Sequence, residues 1–79
     1  MTRAEFLDAI AAAKIDPKSF NLDGEGDECH VLSNEKHVWS VYYSERGLER
    51  EKHDFATEGA ALEYLMVVLK GDPSTRSRT

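Results

Sequence analysis

The chain has 79 residues and one cysteine, and its 15 acidic against 10 basic side chains give a net charge of −5. A chain this short forms one domain, a single thiol excludes an internal disulfide, and no apolar run approaches the ~20 residues that span a bilayer. The acidic balance argues against nucleic-acid binding, which needs a basic face, and suits either a basic protein partner or a well-solvated surface. With no signal-peptide pattern at its start, we expect a cytoplasmic protein without a membrane partner.

The first predicted element is a helix that begins at Arg3. Thr2 and Glu5 are three residues apart, which is the spacing of a capping box. The apolar stripe of this helix follows a helical period and consists of Phe6, Leu7, Ile10 and Ala13. Asp16 precedes Pro17, and because the residue before proline is disfavoured in the α region, we expect the helix to end there.

Residues 16–28 carry five acidic groups against one lysine. Within them, residues 23–28 read Asp-Gly-Glu-Gly-Asp-Glu, with carboxylates at alternate positions as in a calcium loop. The match fails, because Glu28 stands where an EF-hand loop needs glycine and Asn34 stands where it needs a bidentate glutamate. The glycines predict a mobile acidic loop instead, and its candidates for contact with a basic partner are Asp23, Glu25, Asp27 and Glu28.

Three strands follow, joined by short loops, and short loops between consecutive strands imply an antiparallel meander. The strands are predicted at residues 28–33, 37–45 and 49–55, with connections at 34–36 and 46–48. A second helix is expected from Glu58 to about Lys70, capped by Thr57 and terminated by Gly71 in the left-handed conformation. Its core stripe is expected to be Ala61, Leu62, Leu65, Val68 and Leu69.

This order of elements predicts an α+β fold of two layers, in which both helices cover one face of a three-stranded antiparallel sheet. The single domain is expected to span residues 1–71. Residues 72–79 are polar and rich in Ser, Thr and Arg, which predicts a disordered tail. The other face of the sheet would stay open to solvent or to a partner.

The second strand is the most aromatic part of the chain, and alternation divides it between the two faces of the sheet. The bulkier set, expected to face the helices, is Trp39, Val41 and Tyr43. Tyr42 then lies on the open face, where the third strand is expected to place Arg50 and Lys52 beside it. An exposed tyrosine next to arginine is typical of interface anchors, and an ordinary strand tyrosine explains the same pattern.

The side chains suited to a metal site or to nucleophilic chemistry are Cys29, His30, His37 and His53. Cys29 and His30 are neighbours on a strand and therefore point to opposite faces. The chain has no phosphate-binding glycine loop and no nucleophile elbow, and a two-layer domain of this size seldom encloses a pocket. We expect no enzyme activity, no catalytic or metal-binding residue and no cofactor.

Residues 39–47 read Trp-Ser-Val-Tyr-Tyr-Ser-Glu-Arg-Gly, and they are followed by Phe55 and by Glu-Gly-Ala-Ala-Leu-Glu-Tyr-Leu at residues 58–65. This pattern resembles a group of small bacterial immunity proteins, the antitoxins encoded beside polymorphic or contact-dependent toxins. The resemblance implies a protein that binds a cognate toxin domain, often a nuclease, and neutralises it by protein–protein interaction. The residues expected to contact that partner are Tyr42, Arg46, Arg50 and Lys52, together with Asp23, Glu25, Asp27 and Glu28.

Two other functions stay open at this point. A homodimeric structural or regulatory domain would pair through the edge of the sheet or through a second apolar side of the last helix, formed by Tyr64, Met66 and Val67. An inhibitor of the phage type would use its carboxylates to mimic nucleic acid.

Overall fold

A computed structural model describes residues 1–72 and confirms the α+β class. In chain order the elements are α1 (Arg3–Ala12), a 3-10 helix (Pro17–Ser19), β1 (Phe20–Asn21), β2 (Cys29–Glu35), β3 (Val38–Glu45), β4 (Leu48–Phe55) and α2 (Glu58–Gly71). Within residues 1–72, no helix is long and apolar enough to cross a membrane. The predicted tail at residues 72–79 lies outside the described residues except for Asp72.

The sheet has the order β1-β2-β3-β4 and is mixed. β2, β3 and β4 form the predicted antiparallel meander, but β1 adds a fourth strand that pairs in parallel with β2, with Phe20 opposite His30. The prediction of three strands was wrong here, because a strand of two residues is too short for side-chain alternation to reveal it. β1 also brings Phe20 edge-to-face against Phe6 of α1, with ring centroids 5.5 Å apart.

Both hairpins are tighter than predicted. The connections are Lys36-His37 and Arg46-Gly47, and all four residues have φ between 50° and 81°. Positive φ at both positions is the geometry of a type I′ turn, whose twist matches that of the flanking strands. The predicted three-residue connections are wrong, since residues 34, 35 and 48 belong to the strands. Lys36 and His37 are not among the Asn, Asp and Gly residues that are usual in a type I′ turn, so no sequence pattern indicated this turn.

The helices cover one face of the sheet, here called the helix face, and the main core lies between the two layers. Its buried side chains are Phe6, Ile10, Ile15, Leu32, Val41, Ala61, Leu62, Leu65, Met66 and Leu69. Val41 is 2% exposed in this core, and Trp39 packs at its margin. The alternation predicted for these two residues of β3 is therefore confirmed.

The apolar stripes of the two helices agree with the sequence pattern only in part. In α2 the buried positions after Ala61 are 62, 65, 66 and 69, so Met66 is a core residue and Val68 is half-buried. Val67 is 70% exposed, and Leu7, predicted in the stripe of α1, is 45% exposed. Helical spacing located the stripes, but their width was set by the sheet against which they pack.

α1 begins where predicted, with the expected capping box, but it ends at Ala12 and not at Asp16. Lys14 adopts φ 58°, and Ile15 N donates a hydrogen bond to Ile10 O at 3.1 Å. This is a Schellman-type end, which turns the chain so that an apolar residue can pack back on the helix. Burial of Ile15, which is 3% exposed, ends the helix before the proline can.

α2 also begins where predicted, with Thr57 as its N-cap, and it extends to Gly71. Gly71 was expected beyond the helix in the left-handed conformation, but it is the last helical residue and its φ is not positive. Asp72 ends the helix in an extended conformation (φ −108°, ψ 106°), because it precedes Pro73 in the sequence. This conformation brings the Asp72 carboxylate next to His30 of β2.

Candidate functional site: the acidic end of the sheet

The acidic loop, residues 23–28, crosses the face of the sheet opposite the helices, here called the loop face. A second buried cluster lies there and consists of Cys29, Val31 and Tyr42. Gly26 packs directly on this cluster, because a Cβ built at Gly26 would lie 2.6 Å from Cys29 Sγ and 3.5 Å from Val31 Cγ2. Gly26 also has φ +152°, so a side chain is excluded by both space and backbone conformation.

Hydrogen bonds fix the path of the acidic loop at three points along the sheet. Gly24 N donates to Leu32 O (3.0 Å), Ser44 Oγ donates to Gly26 O (2.8 Å), and Arg46 N donates to Asp27 Oδ1 (2.9 Å). The loop that was predicted to be mobile therefore has a defined path against the sheet in this structure. Its glycines allow the chain to approach the sheet closely, and the residues that hold it lie in other elements.

Tyr42 lies on the face opposite the helices, as predicted, with Val31 as its cross-strand neighbour. It is only 8% exposed, so the expectation of an exposed anchor was wrong. Burial raises the pKa of Tyr42, and the nearby carboxylates of Glu49 and Glu35 raise it further. The hydroxyl therefore stays protonated at neutral pH.

A bulge in β4 separates Tyr42 from Arg50, which were expected to lie side by side. Tyr43 pairs with Arg50 and Val41 pairs with His53, so one residue of β3 faces two residues of β4, and Glu51 at the bulge has φ 53°. Arg50 consequently lies on the helix face beside Tyr43. Lys52 lies on the other face, where its Nζ is 3.6 Å from Glu49 Oε1. The placement of Arg50 next to Tyr42 was wrong, because strand alternation cannot anticipate a bulge, whereas Lys52 lies on the same face as Tyr42, as predicted.

A cleft opens on the helix face where β2 begins and β3 ends. Its volume is about 550 Å³, and its lining consists of His30, Tyr43, Glu45, Arg50, Glu51 and Asp72. A hollow of about 240 Å³ adjoins it, sharing His30, Tyr43 and Asp72 and adding Asp16, Lys18, Ser19, Glu28 and Cys29. We refer to both together as the acidic cleft.

The floor of the acidic cleft is aromatic. His30 and Tyr43 are directly opposite each other on β2 and β3, and their rings meet edge to face with centroids 5.0 Å apart. Burial raises the pKa of Tyr43, with further contributions from Glu45 and Glu28. The Tyr43 ring of the floor is therefore uncharged at neutral pH.

His30 is held in its neutral form by burial, which lowers its pKa against the opposing attraction of Asp72. Its side chain is 13% exposed, and its Nε2 atom is buried without a hydrogen bond to any of the described residues. Asp72 Oδ2 lies 3.8 Å from Nε2, which is too long for a hydrogen bond. The cleft thus contains a buried polar atom whose capacity for hydrogen bonding is unused within residues 1–72.

The wall of the acidic cleft has a surplus of negative charge. Among residues 1–72 its carboxylates are Asp16, Glu28, Glu45, Glu51 and Asp72, against the two cations Lys18 and Arg50. Arg50 Nε is 3.3 Å from Glu45 Oε2, and both side chains are largely exposed, so this pair is weak. Glu28 and Glu51 form no ion pair with any residue from 1 to 72.

The residues predicted to bind a partner are divided among three places. Glu28 and Arg50 line the acidic cleft, and Asp27 and Arg46 meet at its side through the hydrogen bond described above. Asp23 forms an ion pair with Arg3 at 3.7 Å, near the start of α1, and Glu25 lies between these positions on the loop. Tyr42 and Lys52 belong to the loop face.

Sequence reasoning missed most of the cleft. His30, Tyr43, Glu45, Glu51 and Asp72 were not among the predicted binding residues. The pairing of His30 with Tyr43 follows from the register of the first hairpin. A correct prediction of the turn at residues 36 and 37 would therefore have placed these two residues opposite each other. The position of Glu51 depends on the bulge, and that of Asp72 depends on the end of α2.

Cys29 is a poor nucleophile in this position. Burial raises the pKa of the Cys29 thiol, and Asp27 adds to the effect, so the thiolate is disfavoured. Among residues 1–72, no three His, Cys, Asp or Glu side chains are grouped as metal ligands would be. What the site offers is an acidic surface with an aromatic floor.

Comparisons with known proteins add no further information. No protein-family model matches the chain, and no curated protein or solved structure matches it either. The function must therefore be inferred from the residues of this chain and their arrangement.

Proposed function

We propose that this protein is an immunity protein, which binds the toxic domain of a cognate bacterial toxin and neutralises it. The observation that supports this most is the convergence of carboxylates from separate parts of the chain around one open cleft. They come from the segment after α1, the acidic loop, the end of β3, the bulge of β4 and the end of α2. The resemblance of residues 39–47 to a strand of immunity proteins supports the same function.

The partner expected from this chemistry is a basic protein domain. A nuclease domain is a suitable example, because it must hold phosphates with Lys and Arg side chains. Opposite charges on the two surfaces raise the association rate and select the correct partner. The acidic cleft would then occupy basic side chains that otherwise bind substrate. Neutralisation of this kind acts by binding alone and requires no catalysis.

The anchored acidic loop supports binding by a rigid surface. Three hydrogen bonds to the sheet hold the loop before any partner arrives. A preordered surface loses less conformational entropy on binding than a mobile one. The loop, the turn at Arg46 and the acidic cleft lie at the same end of the sheet. An inhibitory complex of standard size buries about 800 Å² on each partner, and this end of the molecule is the surface we assign to it.

The direct test is co-expression with the toxin domain encoded next to this gene. The wild-type protein should protect cells from that domain and co-purify with it. The double charge reversal Glu28→Lys and Glu51→Lys should abolish protection while the circular dichroism spectrum stays unchanged. Asp8→Lys, on the exposed side of α1, serves as the control and should protect normally. A folded wild-type protein that neither protects nor co-purifies contradicts the proposal.

A homodimer is the second candidate function, and one observation favours it. β4 is an edge strand of eight residues, so a second copy would find unpaired backbone groups there. The same strand carries a bulge and an almost unbroken series of charged side chains, both of which oppose edge-to-edge pairing. Light scattering across a dilution series distinguishes the two, since a monomer at high concentration excludes the dimer.

A further inference from the structure

The acidic cleft combines three properties that are seldom found together on a surface. It is concave and of a size that encloses a side chain or a small ligand, about 550 Å³ in its larger part. Its floor consists of two aromatic rings in edge-to-face contact, His30 and Tyr43. Its wall carries more carboxylates than cations. A ligand that satisfies all three must be cationic, must present a flat or apolar surface, and must be narrow enough to enter.

We infer that the acidic cleft binds an arginine side chain of the protein partner, an inference that rests on the function proposed above. A guanidinium group is planar, carries five N–H donors and stacks on aromatic rings. Its donors match the two oxygens of a carboxylate in a bidentate pair. The ring of Tyr43 and the carboxylates of Glu51 and Glu28 supply these two kinds of contact.

The cleft already shows how it accommodates such a group. Arg50 of the protein itself lines the cleft, and its Nε lies 3.3 Å from Glu45 Oε2. Glu51 and Glu28 have no ion-pair partner within residues 1–72 and remain available to an incoming cation. Arg50 therefore neutralises one carboxylate of the wall and leaves a net negative site beside it.

His30 contributes its ring to the floor of the cleft. Its Nε2 atom is buried and faces Asp72 Oδ2 at 3.8 Å, so we assign that atom no contact with the ligand. A lysine ammonium is a compact, strongly hydrated charge that gains less from an aromatic floor. We therefore assign the cleft to arginine in preference to lysine.

The test is an NMR titration of the whole chain with capped tripeptides. The probe is Gly-Arg-Gly, and its matched controls are Gly-Lys-Gly and Gly-citrulline-Gly, because citrulline has the shape of arginine without the charge. The arginine peptide should give saturable shifts at His30 and Tyr43. The lysine peptide should bind at least about threefold more weakly. The citrulline peptide should give no saturable shift.

Variants locate the site. Glu51→Gln removes one carboxylate of the cleft and should weaken binding of the arginine peptide about tenfold. Glu63→Gln, on the exposed side of α2, should leave binding unchanged. Arginine-peptide shifts that avoid His30 and Tyr43, equal binding of the lysine peptide, or an unaffected Glu51→Gln variant would each overturn the inference.

The inference and the proposed function can fail separately. A protein that protects cells from its toxin but does not bind the arginine peptide retains the function and loses this site. A protein that binds the peptide but fails to protect retains a guanidinium site and loses the immunity function.

Discussion

The two faces of the sheet are covered by different means, and the loop face is covered only in part. On the helix face, nine buried side chains from both helices and two strands, together with Ile15 from the segment after α1, form one apolar core. On the loop face, a single loop covers a cluster of three residues, and hydrogen bonds from the loop to the strands hold it there. The first arrangement depends on apolar area removed from water, and the second depends on a few polar contacts.

This difference indicates how the molecule divides stability from recognition. Each fully buried apolar side chain of the helix face stabilises the fold by about 1.5–3 kcal/mol. Each hydrogen bond of the acidic loop contributes about 0.5–1.5 kcal/mol. Substitutions on the helix face should therefore unfold the protein, whereas substitutions under the loop should release the loop from a sheet that stays folded.

The largest effect is expected from Leu65→Ala on the helix face. Leu65 is 0% exposed, and removing its side chain should cost about 3 kcal/mol through lost burial and a residual cavity. A domain of this size has only about 3–5 kcal/mol in total, so the variant should be largely unfolded in urea titrations. The control, Val67→Ala, removes a side chain that is 70% exposed and should change stability by less than about 0.5 kcal/mol. Similar losses for both variants would contradict the assigned core.

A smaller effect is expected from Gly26→Ala on the loop face. The added Cβ would lie 2.6 Å from Cys29 Sγ, so the loop must shift, at a cost of about 2 kcal/mol. Gly71→Ala is the matched control, because a Cβ there meets nothing within 4 Å and favours the helix by about 0.5 kcal/mol. Thermal unfolding of both variants measures the difference. A Gly26→Ala variant as stable as the wild type would show that the loop does not press on the sheet.

Ser44→Ala tests one anchor of the loop. It removes the hydrogen bond to Gly26 O and should cost about 1 kcal/mol. Hydrogen exchange should accelerate at the Gly24 amide of the loop and stay unchanged in α2. Ser33→Ala, on the same face but without such a bond, should have little effect. If exchange in α2 accelerates equally, the loop does not open independently of the core on the helix face.

Glu51→Gly separates stability from binding. Glu51 has φ 53°, a conformation that strains residues other than glycine by about 1 kcal/mol. The substitution should therefore raise the free energy of unfolding by about 0.5 kcal/mol while it weakens binding of the arginine peptide. Lys36→Gly relieves similar strain in the first hairpin, at φ 50°, and should leave binding intact. Loss of binding in both variants would indicate a general change of the sheet.

The smallest effect is a dependence of stability on pH through His30. Its pKa is lowered in the folded state by burial, so the unfolded chain binds the proton more readily. The stabilisation is complete above the unfolded pKa of about 6.5 and is lost as the pH falls through the lower folded pKa. His30→Phe keeps a ring against Tyr43 but cannot titrate, and its stability should fall less between pH 7.5 and pH 5.5. Parallel curves for the two proteins would exclude this contribution.

Local signals in the sequence were sufficient where neighbouring residues decide the structure. The capping box of α1 is present as predicted, with Glu5 N donating to Thr2 Oγ1 at 3.1 Å. The face of Val41 and of Trp39 followed from alternation along one strand. Both features depend on contacts within a few residues, which a sequence pattern records directly.

The candidate site was harder to predict, because it depends on contacts between distant segments. Arg50 was assigned to the wrong face since the bulge at Glu51 has no sequence signature. The burial of Tyr42 depends on how the chain returns over the loop face after β1. The acidic character of the region was visible in residues 16–28, but the cleft itself requires Asp72 from the far end of the chain.

The buried thiol under the loop makes the behaviour of this surface measurable. Cys29 is 6% exposed and is the one cysteine of the chain, and its sulfur lies directly beneath Gly26. Gly26 packs directly on this sulfur, so we expect labelling to accelerate when the loop lifts and the labelling rate to report loop opening. Comparing that rate with the rate of global unfolding gives the opening free energy of the loop alone. The chain thus carries its own probe of whether the proposed binding surface is rigid before the partner arrives.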